Sequence, residues 1–202
     1  MDKLNWVFSL YAVVLGLTLA EVLTGFARSI RLRHTALRQH NDGHRLGLLT
    51  PLLAIFLMLD ISSFWVVAWT LQDRISVGPM TLAFGLLVTG LYYVAASWVF
   101  PEPEERGNNL DDHFFRQKGL IFSLIFASNI TTYLGRSWLV GSVAIPGYER
   151  YDYVELGLYY LLQIAGILVP GKKANLAVLV SLLLLTLDFT TGAGPGLIRA
   201  LQ

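Results

Sequence analysis

The chain has 202 residues, of which 54% are hydrophobic and only 14% charged, and its mean hydropathy is +0.56. A soluble domain typically carries about 25% charged residues, so this chain has too little polar surface to coat a water-soluble globule. A net charge of +1 gives no bulk attraction to nucleic acid, and the absence of cysteine excludes disulfides, thiolate nucleophiles and cysteine-ligated metal centres.

A helix needs about 20 predominantly apolar residues to cross a bilayer. Six stretches meet or approach that length, which predicts an all-α, polytopic six-helix bundle forming one transmembrane domain over residues 1–202. The first span is Leu4–Phe26. Met1–Trp6 is not strongly basic and no small-residue cleavage site closes the apolar run Trp6–Ala20, so this span is expected to be permanent rather than a cleaved signal. Along it Ala12, Gly16, Ala20 and Thr24 recur every four residues, on one helical face. Small side chains there let helices approach closely where lipid supplies no hydrophobic drive. Glu21 lies toward the C-terminal end of this span.

The connection Arg28–Arg45 carries five arginines and reads as a loop, first a topology determinant and second a contact for anionic headgroups. The second span is Thr50–Leu71, with Thr50 as N-cap and Pro51 in the first turn, and Asp60 falls near its middle. A carboxylate at mid-bilayer costs roughly 2.5–3.5 kcal/mol on insertion scales. The third span is Pro79–Phe100, closed by Pro101. The loop Glu102–Lys118 mixes acids, bases and two phenylalanines, with a short interfacial helix expected through Leu110–Lys118.

The fourth span is Gly119–Val140, with a second small-residue stripe at Ser123, Ala127, Thr131 and Gly135. Spans 1 and 4 are therefore expected to be tightly packed inner helices, and the stripes also offer a route to a homo-oligomer or to a membrane-protein partner. Span 4 carries Asn129 near its middle and Arg136 nearer its end. The fifth span, Tyr151–Val169, holds Glu155 and Gln163 and ends at Pro170-Gly171. The sixth, Ala174–Thr191, holds Asp188 and stops at the run Gly192–Gly196. Connections after spans 2 and 5 are short, which predicts antiparallel neighbours.

Ten of the fifteen lysines and arginines lie in the connections after spans 1, 3 and 5. The positive-inside rule puts those three connections in the cytoplasm and both termini outside, in a cell (inner) membrane. Trp6, Trp69, Trp138, Tyr148, Tyr151 and Tyr153 then gather at the outer interface, and Trp98, Phe100, Phe114 and Phe115 at the inner one.

A three-plus-three inverted repeat is suggested by a 108-residue offset that aligns Glu21, Thr24, Arg28 and Ser29 with Asn129, Thr132, Arg136 and Ser137. The small-residue stripes align instead at an offset of 111. Inverted repeats with sites at the midplane are a recurring transporter plan.

The candidate functional residues are Glu21, Asp60, Asn129, Gln163, Arg136 and Asp188. One expectation makes them a polar path, with Glu21, Asp60 and Asp188 as proton steps at inner, middle and outer depth. The other makes them structural, with Arg136 paired to Asp188 or Glu155 and Asp60 bonded to Ser62, Ser63 or a neighbouring amide. A path requires the three carboxylates to face a common cavity, whereas a scaffold buries each locally. The four histidines, His34, His40, His44 and His113, all lie outside the predicted spans, and no cofactor or metal site is expected. There is no phosphate-binding loop, dinucleotide fingerprint or hydrolase elbow. An intramembrane enzyme would need acid, base or metal ligands clustered at one interface, and the sequence presents no such cluster. The function expected is a small proton-linked transporter or channel, with a non-catalytic membrane subunit as the alternative.

Overall fold

A computed structural model describes residues 3–38, 47–71, 75, 78–101, 110–141 and 150–191. Six α-helices make up the fold: α1 Lys3–Arg38, α2 Leu49–Thr70, α3 Pro79–Val99, α4 Leu110–Val140, α5 Arg150–Leu168 and α6 Lys172–Thr191. Among the described residues, Trp6–Arg31, Leu49–Trp69 and Pro79–Val99 are long and apolar enough to cross a membrane, and Tyr153–Leu168 is a shorter apolar helix.

Helix ends differ from the sequence expectations in informative ways. The arginines after span 1 are not in a loop. Arg28, Arg31, Arg33 and Arg38 continue α1, because no glycine or proline interrupts the chain before Gly43 and arginine is a good helix former. Positive charge at a helix C-terminus also complements its dipole. His40, His44 and Arg45 lie outside the described residues. Likewise Leu110–Lys118 is no separate interfacial helix but the first turns of α4, with Asp111 and Asp112 at its positive end.

Thr50 is not the cap of α2. The helix begins at Leu49 after Leu48, which makes no side-chain cap bond. The free backbone N–H of Leu49 donates instead to Asp111 Oδ1 at 3.4 Å, and Thr50 Oγ donates to the Leu110 carbonyl at 2.8 Å. The start of α4 thus caps the start of α2. Pro79 opens α3 at its first position, and Gly171, at φ +89°, makes the tight turn from α5 into α6.

α1 packs chiefly on α3, α3 on α4, α4 on α5, and α2 on α6 and α4. The α1–α3 pairing is broad, whereas its counterpart in a three-plus-three repeat, α4–α6, is at most marginal. The helix pairings therefore do not follow the symmetry expected from the offset alignments.

The end of α3, the start of α4 and the α5–α6 turn lie together at one end of the bundle. Phe26 and Phe100 pack edge to face there with centroids 6.4 Å apart, and His113 Nε2 lies 3.1 Å from the Trp98 carbonyl. Lys172 pairs with Asp111. At the opposite end Phe8 packs on Trp65 and Trp69, and Phe84 on Trp138. Between the two ends the outward faces carry aliphatic side chains such as Val13, Leu17, Leu87, Leu134, Leu161 and Leu184, all exposed. Water gives no reason for that surface, and hydrocarbon does.

Candidate functional site

Asp60 lies on the inward face of α2 and is only 1% exposed. Three other helices each present a donor to its carboxyl group. Tyr92 of α3 donates to Oδ2 at 2.9 Å, Asn129 Nδ2 of α4 donates to Oδ2 at 3.1 Å, and the Tyr159 hydroxyl of α5 donates to Oδ1. The donors also bond each other: Asn129 Nδ2 lies 3.2 Å from the Tyr159 oxygen, and the Tyr92 hydroxyl lies 3.4 Å from Asn129 Oδ1. The group is a closed four-helix polar cluster inside an apolar core of Phe56, Leu57, Ile61, Ile125 and their neighbours.

The serines beside Asp60 play no part in holding its carboxyl group. Ser62 Oγ donates to the Met58 carbonyl and Ser63 Oγ to the backbone carbonyl of Asp60 itself. The neighbouring amide is Asn129. Tyr92 and Tyr159 escaped the sequence reading because tyrosines in apolar helices pass for core or interface aromatics. Their depth was the available signal. Each sits mid-helix, where a phenol hydroxyl has no water and must find an acceptor.

Beside the cluster, toward the end bearing Trp69 and Trp138, a cavity of about 140 Å³ opens between α2, α4, α5 and α6. Asn129 and Tyr159 form its floor, and Ser63, Thr132, Arg136 and Thr186 line it above. Arg136 is buried, at 6% exposure. It also lines a second cavity of about 80 Å³ among α1, α2, α3 and α4, with an almost wholly apolar wall.

The other predicted residues are not drawn into this group. Glu21 is exposed on α1, and Asp188 is half-buried on α6. Neither of these two, nor Asp60 itself, lines either of the two cavities. Gln163 sits one turn beyond Tyr159 on the same inward face of α5. It is fully buried, and neither Nε2 nor Oε1 has a hydrogen-bond partner. The inward face of α5 also carries Glu155, buried at 7% exposure.

The small-residue stripes separate. Ala12, Gly16, Ala20 and Thr24 are all exposed, because α1 packs through Val7, Tyr11, Leu15, Thr18 and Val22 instead. α1 is thus a peripheral helix and not an inner one. On α4, Ser123 is exposed, Ala127 and Thr131 are half-buried, and Gly135 is buried against the Phe84 ring, where a Cβ would stand 2.9 Å from a ring carbon.

A second polar cluster closes the basic end. Lys118 Nζ donates to the carbonyls of Gly166 at 3.1 Å and Val169 at 2.6 Å, and to Asn175 Oδ1 at 3.1 Å. Burial pulls its ammonium below the usual lysine range, while three acceptors matched to its three donors work the other way. Asn175 Nδ2 donates in turn to Val169 and Gly171. The C-terminal carbonyls of α5 are satisfied by α4 and α6 rather than by water.

Comparison of the chain with models of protein families, with curated proteins and with solved structures found no match. Function rests on the geometry alone.

Proposed function

We propose that all six helices cross a cell (inner) membrane, with the three basic connections in the cytoplasm and both termini outside, and that the protein is a small proton-linked transporter or channel. The cavity of about 140 Å³ is its solute chamber and Asp60 its coupling group. One observation carries this reading: Asn129 and Tyr159 both donate to Asp60 and both form the floor of the chamber. As a carboxylate, Asp60 occupies all three donors. As an acid it becomes a donor itself on one oxygen, and Tyr159 or Asn129 must turn elsewhere. The chamber is where they would turn, so protonation and chamber occupancy are linked through shared hydrogen bonds. Glu21 has no place in this path, because it faces away from the bundle. The three-plus-three repeat is not adopted either, given the unequal helix pairings.

The test is solute-dependent proton movement into liposomes loaded with a pH-sensitive dye and containing the purified chain. Small carboxylates, amines and sugars are applied in turn. Wild type should acidify with at least one solute class, and Asp60→Asn should not, while still inserting and migrating as a folded species. Equal flux from Asp60→Asn would remove the proposal.

A non-catalytic membrane subunit is favoured by a different observation. The outward face of α1 exposes Glu21 among Ala12, Gly16, Ala20 and Thr24. A carboxylate on a lipid-facing surface is costly, and close-packing small residues beside it suit a partner helix. Native mass spectrometry of the chain extracted from its own membranes separates the cases. A defined heteromer supports the subunit role, and a homo-oligomer alone contradicts it.

A further inference from the structure

The two cavities share one wall, made of Val67, Thr132 and Arg136. Their remaining linings differ sharply. The smaller is lined by Val7, Phe8, Phe64, Leu71, Phe84 and Val88. The one phenol in it, Tyr11, spends its hydroxyl on the Thr81 carbonyl at 2.6 Å. The larger presents Ser63, Asn129, Tyr133, Tyr159, Tyr160 and Thr186. A buried guanidinium therefore stands where an almost wholly apolar cavity meets one that is apolar with scattered polar groups.

We propose that this junction binds a single-chain amphiphilic anion, a carboxylate or phosphate monoester on a hydrocarbon chain, with its head at Arg136 and its tail in the apolar chamber. A purely polar solute leaves the apolar chamber unused, and a purely apolar one gains nothing from the guanidinium. Arg offers five donors in a planar fork, so it holds a carboxylate or phosphate through two of them while keeping its other contacts. Its depth fits a head group. Arg136 lies two turns, about 10 Å, beyond Asn129 along α4 and only two residues before the exposed Trp138. That is the interfacial zone where amphipathic groups settle. An apolar cavity of about 80 Å³ is far too small to take the two chains of a phospholipid, which favours a single chain. This inference rests on the larger cavity being a ligand chamber, as proposed above, and it is tested by binding rather than by flux.

The experiment is native mass spectrometry of the delipidated full chain with decanoate, decanol, butyrate or dioleoylphosphatidylglycerol at equal concentration. A one-to-one decanoate adduct is expected, with decanol weaker by about tenfold or more, the scale of one lost charge-assisted contact, and butyrate weaker by at least as much for want of six buried methylenes. Arg136→Gln should lose the adduct and Arg136→Lys keep part of it. Ala68→Phe, which fills the apolar chamber from α2, should also lose it and leaves Arg136 untouched. Equal binding of decanol overturns the role of Arg136. Equal binding of butyrate overturns the tail site while leaving the solute chamber and its proton linkage standing. Tighter, Arg136-dependent binding of the phospholipid overturns the single-chain claim, and no adduct at all overturns the inference outright.

Discussion

Asp60 is tied by three donors from three helices, so no single one of them should be decisive. Interhelical polar bonds in membranes average about 0.6 kcal/mol, and bonds to a charged group reach about 1.5–3 kcal/mol. Tyr159→Phe is therefore expected to cost about 1 kcal/mol in a denaturant titration of the reconstituted protein. A loss too small to resolve would mean that this hydroxyl does not hold the carboxyl group. Gln163 predicts the opposite sign. Its amide is buried without partners, a penalty of about 1–3 kcal/mol. Gln163→Leu, close in volume, should raise the unfolding midpoint, and a lowered midpoint would show that the amide has a partner. At this scale the sequence identified the costly groups, Asp60, Asn129, Gln163 and Arg136, because polarity in an apolar run is conspicuous. It did not identify Tyr92 and Tyr159, whose amphipathic side chains break no pattern. It also could not tell that Glu21 points outward, because the buried face of a helix is chosen by its neighbours.

The helices themselves show why spacing alone misleads. The stripes on α1 and α4 look equivalent in sequence, yet only the α4 stripe reaches an internal contact, at Gly135 against Phe84. Gly135→Val should strain the α3–α4 contact by about 1–3 kcal/mol, the usual cost of overpacking. Gly16→Val meets open space and should leave the stability of the isolated chain unchanged. If α1 mediates assembly, Gly16→Val should instead lower the oligomeric mass seen by light scattering. At the basic end, Lys118 ties the close of α5 to α4 and α6. Lys118→Met removes the three N–H donors that serve Gly166, Val169 and Asn175 and should speed hydrogen exchange of the α5–α6 turn well before the midplane amides respond. Uniform exchange across the chain would contradict that local role. Helix existence was legible throughout because apolar length is a strong signal. The exact ends were not, because Asp111 capping α2 is a contact across 62 residues of sequence.

For the molecule as a whole, the part of α1 at Phe26, the end of α3, the start of α4 and the α5–α6 turn share one end, beside the basic residues Arg28, Lys118 and Lys172. Which side of the membrane that end faces is open to a clean test in a chain without cysteine. A cysteine introduced at Lys173 should react with an impermeant maleimide only after the cells are opened, and labelling of intact cells would reverse the proposed orientation. The central claim concerns Asp60, a carboxyl group shared among four helices whose proton governs the hydrogen bonds at the chamber floor. Infrared difference spectroscopy between acid and alkaline pH measures it most directly, through the carbonyl stretch of a protonated buried carboxyl group. The account predicts one such band that disappears in Asp60→Asn and shifts in Tyr159→Phe. A band unchanged in Asp60→Asn, or none in wild type, would contradict it.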